Sequence, residues 1–252
     1  MKNRELKHKP VLGGAASDSM LVVDLLSCKL QRLIKFEGFR YLDIGCGNGA
    51  FTIKLGKGFR EVYGIDLNHD SVDLFKKKIK SRAMSNFEVS DMSIEKMDFP
   101  NDYFDVVTAI EVLEHVENFE IGLSEIARVI KPNGFLGITC PNRLFPFETH
   151  GIMWNGKEIA GRIPLIPYIP FLHNKYALAR VFTVAELDCK LKKIGFHRTG
   201  LDFAFPTLER GNKLGMIMRP FRRCFRVLEK TLLKIFGVSI IAAYQMTNKK
   251  LT

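Results

Sequence analysis

Two sets of side chains in this sequence have the types and spacing to do chemistry. In the first, three glycines within "GCGNG" (Gly45, Gly47, Gly49) are accompanied by carboxylates at Asp43, Asp66, Asp91 and Glu111. Glycines so close together let a backbone approach a small molecule or make a tight turn. "GCGNGA" also satisfies G-x-G-x-x-A, a dinucleotide pattern that is weak on its own. Four acids facing one crevice would repel a pyrophosphate; a sulfonium that also carries an α-amino group would suit them better. The second set is Glu111, Glu114 and His115 in "EVLEH", with Glu148 and His150 in "PFETHG". A histidine can take the proton of a hydroxyl near neutral pH, and with carboxylates it can ligate a divalent ion. His173 is a weaker candidate for either role, and His8, His69 and His197 read as structural or surface residues.

The elements that must position these groups alternate along the chain. "RYLDIG", "EVYGIDL" (Glu61–Leu67), "FEVSD" (Phe87–Asp91), "FDVVTAI" (Phe104–Ile110) and "GFLGITC" (Gly134–Cys140) read as strands. Helical periodicity falls between them, over Gly49–Lys57, Asp70–Ala83 and Phe119–Ile130, and an earlier helix runs from a cap at Ser17–Asp18 to about Lys35. Near-continuous apolar strands separated by helices predict a buried, mostly parallel, doubly wound α/β sheet. Each acid of the first set ends a strand, which lines the carboxylates along the edge where such sheets bind ligands. "KPNG" (Lys131–Gly134) predicts a helix stop and a turn before the fifth strand. A capping box at Thr183 and Glu186 opens a later helix. Gly195–Phe205 and Val238–Thr247 supply a sixth and a seventh strand. The expected organisation is a single domain: an N-terminal helical segment (1–39), a core (40–140), a Pro- and aromatic-rich insertion (141–182) and a basic amphipathic insertion (206–237).

Composition narrows the class further. Lys plus Arg total 38 against 27 acids, and nine of those bases against one acid fall between Gly211 and Thr252. Phe221, Phe225, Leu228, Leu232 and Ile235 step at helical spacing beside Arg219, Arg222, Arg223, Arg226, Lys230 and Lys234. That pattern predicts a helix lying on an anionic membrane surface, or a core-packing helix with a solvated basic face. "IPLIPYIPFL" (Ile163–Leu172) in the other insertion is also apolar and flanked by basic residues, and no run reaches the ~20 apolar residues of a spanning helix. Five cysteines without a CxxC pair, and a polar start without a signal-like apolar run, predict a cytoplasmic protein, peripheral at the membrane.

"LDIGCGNG", "GIDLN", "VSDM", "FPNDYFDVVTAIEVLEHV" and "EIARVIKPNGFLGITCPN" together resemble the class I S-adenosylmethionine-dependent methyltransferases, over about residues 40–142. The resemblance implies S-adenosylmethionine as cofactor. It implies that Asp43, Gly45 and Gly47 line the methionine part, that Asp66 holds the ribose hydroxyls and that Leu67 packs on adenine. Asp91 would then accept from the adenine amino group with Met92 beside it, and Ile110 and Glu111 would floor the methionine end. "AIEV" in place of an Asn/Asp-Pro-Pro-aromatic signature points to oxygen as the methylated atom. His150, His115 and Glu148 are the catalytic candidates, for an acceptor such as a quinone precursor, lipid or lipid-linked glycan. E-x-x-E-H also resembles the metal site of small-RNA 2′-O-methyltransferases. The alternatives are therefore an RNA enzyme with a metal on Glu111, Glu114, His115 and His150, and a non-catalytic cofactor-binding scaffold.

Overall fold

The apolar runs form strands because, in a sheet covered on both faces, alternate residues on either side must all be buried. In the computed structural model, which describes residues 20–159, 163–207, 225 and 227–247, the chain opens with α1 (Met20–Leu33). There follow β1 (Gly38–Ile44), α2 (Ala50–Leu55), β2 (Phe59–Asp66), α3 (His69–Ser81), β3 (Phe87–Asp91), β4 (Phe104–Ile110), α4 (Phe119–Val129) and β5 (Ile130–Pro141). An insertion holds four short strands, β6 (Phe147–Glu148), β7 (Ile152–Trp154), β8 (Lys157–Ile159) and β9 (Ile163–Pro164), and the short helix α5 (Pro170–Tyr176). The described chain closes with α6 (Val184–Lys193), β10 (Phe196–Ala204) and β11 (Ser239–Met246).

Seven strands make one sheet in the order β10-β11-β5-β4-β1-β2-β3. The pairs among β1 to β5 are parallel, and β11 runs antiparallel to both β5 and β10. Chain order reverses between β1 and β4, and at such a switch point the loops after the two strands part to leave a crevice. Two apolar layers sandwich the sheet. One packs α4 and α6 through Leu123, Ile126, Leu187 and Leu191, and the other packs α1 and α2 through Leu26, Leu30, Phe51 and Leu55.

Two expectations change here. β5 begins at Ile130, before "KPNG", and not after it: Phe104 pairs with Ile130 and Val106 with Phe135, so the turn is an excursion inside a strand, with Asn133 at φ 64°. The basic helix does not continue to Ile235 either. Glu229 and Lys230 form a turn, the amides of Lys230 and Thr231 donate to the carbonyls of Val227 and Leu228, and the Thr231 hydroxyl caps a separate 3-10 turn, Leu232–Phe236. A side-chain oxygen that takes the Leu233 amide offers the backbone an alternative to the next helical turn. Phe225 stacks on Phe205, at 5.5 Å between ring centres. The rest of that stripe and its arginines, Arg219, Phe221, Arg222, Arg223 and Arg226, lie outside the described residues, as do Ser17, Asp18 and Arg162.

Candidate functional site

The glycine loop sits on a buried polar anchor. Asp43 is 1% exposed, and its two carboxylate oxygens accept the hydroxyls of Thr52 (2.6 Å) and Thr108 (2.7 Å), while Thr108 also pairs with the Tyr41 hydroxyl at 2.7 Å. Burial raises the Asp43 carboxyl to about 6 against the pull of those two bonds. The expectation that Asp43 lines a ligand is therefore corrected: it is enclosed, and it ties α2 and β4 to the strand that launches the loop.

Above it Gly45, Gly47 and Gly49 all adopt left-handed backbone, at φ 68°, 51° and 81°. A Cβ at Gly49 would fall inside the Phe75 ring, and one at Gly45 would collide with Val112, whereas a Cβ at Gly47 would meet nothing within 4 Å. Gly47 thus faces open space, which is the shape of a backbone cradle. Asp66 braces it from the next strand, accepting the amides of Gly47 and Asn68 at 2.8 Å each. Each oxygen keeps a further lone pair for a diol hydroxyl. Leu67 follows, 57% exposed and free to cover a flat ring. Asp91, also exposed, holds His69 Nδ1 at 2.7 Å, so the polar end of the crevice has a histidine that its sequence context did not flag. Met92 donates its amide to the Asp66 carbonyl (3.2 Å) and accepts the Asp98 amide on its sulfur, which fixes β3 beside β2. Ile110 is corrected as well: its side chain packs into the α1/α2 layer, leaving only its backbone to face a ligand. These features fit S-adenosylmethionine: an open glycine cradle, a carboxylate at the diol position, an exposed apolar residue and an acid beyond it.

The second set gathers where β4 ends. Glu111 takes up left-handed backbone (φ 54°), with its amide donating to the Thr139 carbonyl at 2.9 Å, and the chain turns sharply. The turn places Val112 against Gly45, and the His115 amide donates back to the Val112 carbonyl at 2.9 Å. Arg180, at the far end of the insertion, clamps this turn: its guanidinium donates to the carbonyls of Val116 and Glu117, and its amide donates to the Glu114 carbonyl. His150 comes in from the insertion. Glu114 Oε1 lies 3.8 Å from His150 Nε2 and 4.0 Å from His115 Nε2, and the two imidazoles meet edge to face at 5.4 Å. One ligand atom from each of Glu114, His115 and His150 falls within 4.8 Å of the others.

Charge in this cluster is held down. Both Glu114 oxygens and Glu111 Oε1 are buried without hydrogen-bond partners among the described residues. Burial, and for Glu114 also the nearby Glu111, raises both carboxyls above the ordinary glutamate range. Burial lowers both histidines, with His115 falling to about 4 through the added effect of His150. Neutral imidazoles at pH 7 are competent proton acceptors or metal ligands. An orphaned buried carboxylate asks for a partner, either a cation or the proton it then carries.

Glu148 takes another place than expected. It is buried, with Oε2 2.8 Å from His173 Nε2 and Oε1 accepting the His150 amide at 2.8 Å. It therefore supports His150 and does not itself reach an acceptor. Its partner His173, the weaker candidate in the sequence, is equally enclosed. A spacing of 25 residues through an irregular loop gives no periodic signal from which that pair could be read.

Residues 42–138 match the family described as Methyltransferase domain. The mitochondrial ubiquinone biosynthesis O-methyltransferase of Rattus norvegicus is 35% identical over 138 residues, covering 51% of this chain and 38% of the relative. The ubiquinone biosynthesis O-methyltransferase of Coxiella burnetii (strain Dugway 5J108-111) is 31% identical over 117 residues, covering 46% of this chain and 49% of the relative. This chain therefore spans half or less of the length of these curated relatives. Among solved structures, an S-adenosylmethionine dependent methyltransferase from Mesorhizobium loti shares the fold, with a TM-score of 0.60 and 17% identity over 88% of this chain and 99% of that one.

Proposed function

We propose that this chain, whose residues 42–138 match a methyltransferase-domain family, is an S-adenosylmethionine-dependent methyltransferase that O-methylates an amphiphilic, quinone-related small molecule at a membrane surface. The observation that carries this reading is the meeting of His115 and His150: His115 follows the turn whose Val112 packs against Gly45, and His150, from the insertion, meets it edge to face at 5.4 Å, both imidazoles neutral at pH 7. S-adenosylmethionine, bound in the cradle, supplies a methyl group on a positively charged sulfur. A hydroxyl acceptor must lose its proton as the new bond forms, and a histidine within reach is the usual means. His150 Nδ1 lies 3.3 Å from the Thr149 hydroxyl. A proton on Nδ1, donated to that oxygen, leaves Nε2 bare to receive the proton of the acceptor. Asp66 and the glycine loop fix one reactant and the Glu114 turn the other, and alignment of this kind can supply ~7–11 kcal/mol of a two-body barrier.

The named activity of the two relatives supports oxygen and a quinone-type ring. The surface supports an amphiphilic acceptor. Leu165, Ile169 and Phe171 of the first insertion and Leu232 and Leu233 of the second are exposed, Phe171 by 74% and Leu232 by 90%. The two insertions meet at the end of β5: Tyr168 donates its hydroxyl to the Leu144 carbonyl, and Asn142 donates to the carbonyls of Ile235 and Gly237. Apolar side chains beside Lys175, Lys230 and Lys234 suit an anionic bilayer. Among the described residues no helix is long and apolar enough to cross one.

A second reading is favoured by the 3.8–4.0 Å gaps around Glu114. Two ligands each ~2.0–2.2 Å from a divalent ion stand at most about 4.4 Å apart. A cation held by Glu114, His115 and His150 would complete the orphaned carboxylate and draw the acceptor oxygen toward its anionic form.

One experiment tests these together. The purified protein, with methyl-labelled S-adenosylmethionine, is incubated with host extract before and after EDTA, and the products are split into organic, RNA and soluble fractions. Base-stable label in the organic phase is the expected result, and its loss to EDTA with recovery on Mg2+ or Zn2+ establishes the metal reading. Label in RNA alone, or none anywhere, overturns the proposal.

A further inference from the structure

We propose that His173 is a positioning residue for His150, acting through Glu148; this rests on the reading of His150 as the group that receives the acceptor proton. Three observations carry it. First, the chain of bonds is continuous: His173 Nε2 lies 2.8 Å from Glu148 Oε2, and Glu148 Oε1 accepts the His150 amide at 2.8 Å. Both members are enclosed, Glu148 at 1% and His173 at 5% exposure, so water does not compete for either bond. A carboxylate is an expensive way to fill a core position, and an apolar pair of similar volume would pack as well. What the pair adds is direction.

Second, the residues that directly follow the same short helix hold the chain on the other side of His150. The Leu178 amide donates to the Gly151 carbonyl at 3.2 Å, and Ile152 bridges Ala177. His150 is thus bounded in front by Glu148 and behind by Gly151 and Ile152, and both restraints originate in α5 or the residues just after it. The His173 backbone is itself fixed, its amide donating to the Ile169 carbonyl (2.9 Å) and its carbonyl accepting from Ala177 (2.8 Å). Third, α5 presents Phe171 to the outside two residues before His173. One short helix therefore meets the apolar surroundings with one side chain and aims the base with another.

Three variants of the full chain test this: His173→Gln, which keeps a donor toward Glu148, His173→Leu, which removes it, and Glu148→Gln, which makes the acceptor neutral. The first readout needs no acceptor: the amide and ring signals of His150 in 15N-labelled protein, with S-adenosylhomocysteine affinity as the control for the cradle. His173→Leu should move both His150 signals while the affinity holds, and His173→Gln should restore them. The second readout uses a prenylated dihydroxybenzene with S-adenosylmethionine. There kcat should fall about 10- to 100-fold in His173→Leu, with KM little changed and substantial recovery in His173→Gln. His150 signals that stay in place in His173→Leu, or an equal loss in Gln and Leu variants that tracks melting temperature, would overturn the positioning role. If the dihydroxybenzene is not methylated by the unmodified protein, the acceptor reading fails, and the His150 signals alone decide this one. Should His173→Leu not fold, Glu148→Gln carries the same comparison.

Discussion

At the scale of single residues, the acids that end the strands share a motif but do different jobs. Asp66 reaches the crevice, and Asp66→Ala should weaken S-adenosylmethionine binding by about 10- to 100-fold, since bonds to a charged acceptor contribute about 1.5–3 kcal/mol each. Calorimetry on the purified protein checks this, and an unchanged affinity would remove Asp66 from the site. Asp43 lies beneath it and speaks through pH. Its folded carboxyl titrates near 6 against 3.8 when solvated, so between about pH 4 and 6 the folded state binds more protons and loses stability as pH rises. Asp43→Asn abolishes that dependence: relative to the parent, the variant should gain in thermal stability between pH 4.5 and pH 7. A constant gap between the two melting curves would contradict the assignment. Burial holds the His150 imidazole below 6.5, so its proton-accepting form persists into mildly acid solution, and the acid limb of kcat/KM should fall below that value. The apolar runs before them made the strand-end positions of Asp66 and Asp91 legible in the sequence. Those runs could not separate an enclosed Asp43 from an exposed one, because both end strands in the same way. Nor could they reveal Glu148 and His173, whose partnership exists only once an irregular loop has folded back on itself.

Among the elements, the strands were the easiest to read, since a strand buried on both faces announces itself as an apolar run. Phe87–Asp91 and Phe104–Ile110 begin and end where their residues predict, and the Thr183–Glu186 capping box opens α6 as expected. Elements failed where a side chain competes with the backbone. Thr231 ends one turn and starts another, and the periodic spacing of Phe225, Leu228, Leu232 and Ile235 carries no trace of that break. The loop between β1 and α2 gives the sharpest element-scale prediction. Gly49→Ala forces a methyl into the Phe75 ring at φ 81°, combining overpacking of about 1–3 kcal/mol with a left-handed penalty of about 1–2 kcal/mol. Gly47→Ala meets open space and should lower stability by the second amount only, while obstructing the cradle. Denaturant melts paired with cofactor titration would show the two variants diverging; equal stability losses would mean that the cradle is not open at Gly47.

Across the whole molecule, strand-end carboxylates line one edge of the sheet, while the two insertions expose Leu165, Ile169, Phe171, Leu232 and Leu233. If the insertions seat on an anionic bilayer, the unmodified protein should float with phosphatidylglycerol vesicles. Phe171→Glu together with Leu232→Glu should release it without altering cofactor affinity, because both side chains are exposed and lie in the insertions. A protein that never floats would sever the membrane from the proposed function and leave the cofactor site untouched.

The strand order has a consequence for assembly. β11 is the last of the described strands in sequence, yet it lies inside the sheet, between β5 and β10. A chain extending from the ribosome can therefore build β3-β2-β1-β4-β5 early, but β10 has no edge to join until Ser239–Met246 has emerged. During that interval β5 exposes an unpaired edge and the α6–β10 unit waits unanchored, so truncation before Ser239 should leave a five-stranded sheet with an adhesive border. The pairing of β10 into the sheet thus depends on eight residues, Ser239–Met246.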